Sequence, residues 1–200
     1  MKVSEELDLL LSQIRRCNVC EDHLPLGPRP VLRARHSARL LIVGQAPGTK
    51  VHASGTPWND PSGDRLRYWL DVDKDQFYDQ SNIAIVPMGF CYPGRLPNGG
   101  DKPPRPECAP LWHPLLLQNL PNIELTVLAG AYAQKRFLGD RRGKSLTETV
   151  QAWRKFGPDL FPCRTRRGER LGGKIATLGL KQMSCPISGA ASDSCYVNKI

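Results

Sequence analysis

Apolar residues fall along this chain in blocks of two kinds. Leu40, Leu41, Ile42 and Val43 form an unbroken run, as do Ile83, Ala84, Ile85 and Val86, and Leu125 to Ala129. Continuous runs of this length mark strands buried on both faces of a parallel sheet. Between them the spacing becomes helical. Leu7, Leu10, Leu11 and Ile14 share one face over residues 4–16, with Ser4 in the N-cap position. Further helices are predicted over Asp64–Leu70, Glu107–Leu120, Ala131–Leu138 and Ser145–Phe156, the last with Leu146, Val150 and Trp153 on one side. Strands alternating with helices predict a three-layer α/β/α domain with a four-stranded, mainly parallel sheet. The pattern itself locates three of the strands.

Two long loops, 44–63 and 87–106, leave the first two strands, and both are rich in Gly and Pro. In open α/β sheets ligands bind beyond the carboxyl ends of the strands, so both are candidate site loops. The turn Gly44-Gln45-Ala46-Pro47-Gly48 follows the first strand directly. Glycines let a backbone approach a ligand closely, and successive amides can donate to an oxyanion. A phosphate-binding P-loop is disfavoured, because no Lys and Ser/Thr stand at its spacing.

Composition narrows the picture. With 200 residues and 40% apolar content, the chain suits one domain with a real core. No apolar run approaches the roughly 20 residues that span a membrane, and the N-terminus lacks the apolar core of a signal peptide. A cytoplasmic monomer with no membrane partner is expected. The net charge of +9 is unevenly spread: residues 163–200 hold seven Lys/Arg against two Asp/Glu, and residues 1–162 hold 21 against 17. The basic excess therefore says little about nucleic acid. Seven cysteines in a cytoplasmic chain argue against a disulfide framework. Cys17 and Cys20 form a Cys-x-x-Cys pair, Cys91 and Cys108 flank a Pro/Gly-rich loop, and Cys163, Cys185 and Cys195 lie in the tail. Four thiolates suit either an iron–sulfur cluster or zinc.

The first loop continues Gly55-Thr56-Pro57-Trp58-Asn59-Asp60-Pro61-Ser62-Gly63-Asp64-Arg65-Leu66. Here, over about residues 7–160, the chain resembles the uracil-DNA glycosylase superfamily. That superfamily has a Gly-x-x-Pro-Gly-like loop after its first buried strand. Its iron–sulfur branches (families 4 and 5) follow with Gly-x-Pro-aromatic and a Gly that opens a helix. They also carry Cys-x-x-Cys near the N-terminus and two cysteines bracketing a Pro-rich loop, an order that Cys17, Cys20, Cys91 and Cys108 keep. The resemblance implies a uracil-DNA glycosylase-like domain over 1–162. It implies a structural 4Fe–4S cluster, alternatively zinc, on those four cysteines, and DNA containing a damaged base as partner. The implied reaction is hydrolysis of the N-glycosidic bond of uracil or a related base. Such an enzyme takes the base out of the stack and stabilises a cationic sugar and an anionic leaving base. Trp58 would then stack on the base, with Gly44, Gln45, Ala46, Pro47 and Gly48 forming the facing wall. Asp60 would orient water or stabilise the sugar, with Asp64 as the alternative.

Three positions depart from the family. Ala46 stands where some branches have a catalytic Asp, as Ala does in the iron–sulfur branches, and Pro87 where those branches often have a base-reading Asn. Met88 and Phe90 are candidates for an apolar pocket there, and His52 and His113 are read as surface or core residues. The superfamily's C-terminal His-Pro-Ser motif, whose His donates to the base, is also absent after Pro162. Read one base earlier, permitted codons for Pro162–Arg170 spell Leu-Pro-His-Pro-Ser-Trp-Arg-Ala, and the same frame through Leu171–Leu180 can end Asn-Pro-Trp-Phe. The expectation is that a frameshift replaces the tail after about Pro162, leaving 163–200 atypical and poorly packed. A catalytically impaired iron–sulfur nucleic-acid-binding protein of the same fold is the alternative function.

Overall fold

The computed structural model describes residues 2–163. Its sheet has four strands: β1 (Leu40–Val43), β2 (Ile83–Ile85), β3 (Leu125–Ala129) and β4 (Leu160–Cys163). They run in the order β2-β1-β3-β4 and every pairing is parallel, with Leu41 opposite both Ala84 and Thr126 and Ala129 opposite Cys163. The helices are α1 (Lys2–Arg15), α2 (Thr49–Ser54), α3 (Pro61–Leu70), α4 (Lys74–Tyr78), α5 (Cys108–Gln118), α6 (Ala131–Leu138) and α7 (Leu146–Gln151).

Strand alternation divides the core in two. Leu41, Val43, Ala84 and Leu128 point into a cluster with Leu7, Leu11 and Ile14 of α1, Leu116 of α5 and Leu138 of α6. Leu40, Ile42, Ile85 and Val127 point the other way, onto Leu66 and Leu70 of α3, Phe77 of α4 and Phe161 of β4. All four β1 side chains are buried, which explains the unbroken apolar run. The three-layer α/β/α architecture is the one the alternation predicts.

The differences from the predicted elements have local causes. α1 begins at Lys2, so Ser4 lies inside its first turn and is not its N-cap. α3 begins at Pro61, because Asp60 caps it and a proline in the first helical position needs no donor. The predicted helix 145–156 is α7 followed by a 3-10 turn, Trp153–Phe156, with Ser145 as its cap. α2 lies within the segment 44–63 that reads as loop, and α4 within 71–82, where the pattern predicts no element. β4 contains Pro162, which an edge strand tolerates on its open side. It also takes in Cys163, one residue past the expected domain boundary. Cys185 and Cys195, with the rest of the tail, lie outside the described residues.

Strand order reverses between β1 and β3. From β1 the chain crosses to β2 on one side, then returns past β1 to β3 on the other. The carboxyl ends of β1 and β3 therefore diverge into a crevice, where such folds place their ligands.

Candidate active site

A cavity of about 270 Å³ occupies that crevice. Its floor is Ile85, Pro87, Ala129 and Gly130 at the strand ends. One wall is the turn Gly44, Gln45, Ala46, Pro47 and Gly48, and the other is Pro57, Trp58, Asp60 and Ser62. The base-binding residues expected from sequence thus come together, with Asp60 beside them. Asp64 falls outside the cavity: its exposed carboxylate pairs with the buried Arg67, three residues on in α3.

Backbone contacts fix the first wall. Met88 N donates to Gly44 O at 2.9 Å and Gly89 N to Gln45 O at 3.0 Å, tying the turn to the second site loop. Gln45 Nε2 donates to Lys102 O at 2.9 Å. Among the described residues, no backbone carbonyl outside the helices and strands accepts from the amides of Gln45 or Ala46.

The second wall is built around Trp58. Its indole lies across Gly44, where a Cβ would come within 2.8 Å of the ring. Its backbone is left-handed, with φ 57°, an uncommon state for a bulky residue that the surroundings must hold. Arg67 Nη1 donates to Trp58 O at 3.3 Å, and Tyr78 Oη donates to Pro57 O at 2.9 Å. Arg67 is itself buried and lies over the rings of Phe77 and Tyr78. Asp60 Oδ1 accepts from Ser62 N, Ser62 Oγ and Gly63 N, which orients its carboxylate at the cavity edge.

The floor is held from behind. His113 of α5 is buried, stacks on Phe90 and donates from Nε2 to Pro87 O at 2.9 Å. Burial lowers its pKa, which keeps it neutral. This is the core role expected for His113. Met88 and Phe90 do not line the cavity; both are buried in the core on the α1 side of the sheet. His52 is half-buried beside Tyr92.

A second, narrower cavity gathers the four cysteines. Cys17, Cys20, Cys91 and Cys108 all line it, with Phe90, Arg105 and Trp112. Phe90 N donates to Cys108 Sγ at 3.4 Å. All four are free thiols. Burial pushes Cys91 up to about 11 and Cys108 up to about 12, and burial together with Glu107 raises Cys20. Among the described residues no group of three or more His, Cys, Asp or Glu is placed to hold a metal ion. Two lining residues carry buried donors without an acceptor, Arg105 Nε and Trp112 Nε1.

Asp101 also lines the crevice cavity, and no signal in the sequence pointed to it. It stands more than fifty positions from Gly48 in the chain, and only the fold brings the two together.

The model of the uracil DNA glycosylase superfamily matches residues 33–174, well over half of the chain. The chain belongs to that superfamily. Membership makes DNA the partner class and DNA-glycosylase-like base excision the class of chemistry. No helix among the described residues is long and apolar enough to cross a membrane.

Proposed function

We propose that this protein is a DNA-repair glycosylase of the iron–sulfur branches, hydrolysing the N-glycosidic bond of uracil or a related damaged base. The observation that carries the reading is the crevice wall itself: the Trp58 indole packs on Gly44, and together with the Gly44–Gly48 turn it lines the cavity at the strand ends. An extruded base stacks on Trp58, and its carbonyl receives the amides of Gln45 and Ala46. As the bond from C1′ to the base nitrogen breaks, its electron pair leaves on the base, and those amides stabilise the charge. Asp60 faces the cationic sugar. Water adds to C1′ and passes a proton to the Asp60 carboxylate, while the departing base is protonated from solvent. Pro87 offers only a carbonyl that His113 already engages, so no side-chain amide reads the base edge there.

Cys17, Cys20, Cys91 and Cys108 are read as the ligands of a structural 4Fe–4S cluster, with zinc as the alternative. Convergence on one cavity supports this, as do the unpartnered donors of Arg105 and Trp112, which suit an anionic, sulfur-rich occupant. The cluster would tie the end of α1 to the start of α5. A broad visible absorbance in protein purified without oxygen supports iron–sulfur; a colourless protein with one zinc supports the alternative.

The reading includes the frameshift after about Pro162, which would restore the His-bearing loop. The superfamily match runs on to residue 174, past that point, so this part rests on the codon reading alone. Independent sequencing of the coding DNA in an unshifted frame would remove this part. The absence of His-Pro-Ser from the chain as written favours a second reading, an impaired binder of the same fold. Oligonucleotides containing uracil, hypoxanthine or xanthine separate the two. Abasic-site formation supports the enzyme, and binding without it supports the binder.

A further inference from the structure

Asp101 sits on a small hairpin in the loop between β2 and α5. Arg95 and Asp101 form an antiparallel bridge, Leu96 N donates to Gly100 O at 3.0 Å, and Gly99 N donates to Leu96 O at 3.0 Å. Lys102 N donates to Gly94 O at 2.8 Å, and Gln45 Nε2 holds Lys102 O. The hairpin is thereby pinned to the Gly44–Gly48 turn. Asp101 Oδ2 lies 3.5 Å from where a Cβ on Gly48 would stand.

Asp101 and Asp60 occupy a boundary. Both line the base cavity, and both also line an outer groove with Lys50, Arg95 and Ser62. Moving outward, the wall passes from an indole, to two carboxylates, to two cations. A nucleotide entering base first presents an aromatic ring, a sugar and phosphates in that order.

We propose that Asp101 is a second catalytic carboxylate, facing the sugar opposite Asp60 and stabilising the positive charge that develops at C1′. The inference rests on the glycosylase reading above. It adds a residue that neither the turn motif nor the aromatic loop contains, and it gives Gln45 a second task as the positioning residue for the hairpin. Because Asp101 is exposed, solvent screens its field and its share is modest.

The test needs no turnover. Binding of the full chain is measured at low salt to two oligonucleotides, one with a cationic pyrrolidine in place of the target sugar and one with a neutral tetrahydrofuran. The unaltered protein is expected to favour the pyrrolidine. Asp101→Asn is expected to cut that preference by about threefold to fivefold, the range of an exposed charge pair, while tetrahydrofuran binding stays within about twofold. Lys50→Ala is expected to weaken both oligonucleotides alike. An Asp101→Asn protein that keeps the full preference overturns the inference. So does an unaltered protein that binds both oligonucleotides equally, which leaves the DNA reading standing. Binding of neither removes the DNA reading and this inference together.

Discussion

A Cβ added to Gly63 would lie 1.7 Å from the carbonyl oxygen of Trp58. Both partners belong to backbone, so no rotamer change relieves the clash. The first turn of α3 and the left-handed residue before it are packed through a position that only glycine fits. That contact sets where the indole stands in the crevice.

Gly63→Ala therefore has to move either α3 or Trp58. We expect a loss of about 2–4 kcal/mol of stability, the scale of overpacking against fixed backbone, together with a shifted tryptophan emission. An unchanged melting temperature and spectrum would show that the contact does not constrain Trp58.

Arg67→Ala should reach the same residue from behind. It removes a buried cation that donates to Trp58 O and packs on Phe77 and Tyr78. A loss of about 2–3 kcal/mol is expected in denaturant unfolding. Tyr78→Phe, which removes the hydrogen bond to Pro57 O and the hydroxyl's contact with Arg67 but keeps the ring, should cost about 1 kcal/mol.

Asp60 caps α3, and substitution can separate that duty from the catalytic one proposed for it. Its Oδ1 caps α3, and asparagine is an equally good cap. Asp60→Asn should melt within about 0.5 kcal/mol of the parent yet lose base excision, whereas Asp60→Ala should also lose about 1 kcal/mol of stability. If Asp60→Asn excises at the parental rate, the carboxylate has no part in the chemistry.

The cysteine cavity makes a pH prediction for protein prepared free of metal. Burial raises Cys91 to about 11 and Cys108 to about 12, above the ordinary thiol value of 9.0. The folded state then holds these protons more tightly than the unfolded chain. Stability is fully present below about pH 9 and falls as pH rises through 11 to 12. Urea midpoints of metal-free protein across pH 8 to 11 check this, and a flat profile would contradict it. Loading the cavity with a cluster should release protons and remove the alkaline loss.

Much of this was legible in the chain. β1, β2 and β3 announce themselves because both faces of each are buried. The turn at Gly44–Gly48 and Trp58 stand close enough in sequence to be read as one site. β4 was not legible, because Leu-Phe-Pro-Cys is short and a proline argues against a strand until its edge position is known. The boundary of α3 turned on Asp60 and Pro61, a cap and an N1 proline that pattern alone placed three residues late. Asp101 carries no local signal; a Gly-rich hairpin folded over Gly48 gives it a place in the cavity.

The most direct test of the account is single-turnover release of free base from a uracil-containing oligonucleotide. It compares the frame-restored chain with its Asp60→Asn variant, with hypoxanthine and xanthine oligonucleotides run in parallel. The account predicts free base and an alkali-labile abasic site from at least one of the three with the restored chain, and loss of both products in the variant. Tight binding by the restored chain with no base released from any of them would contradict it.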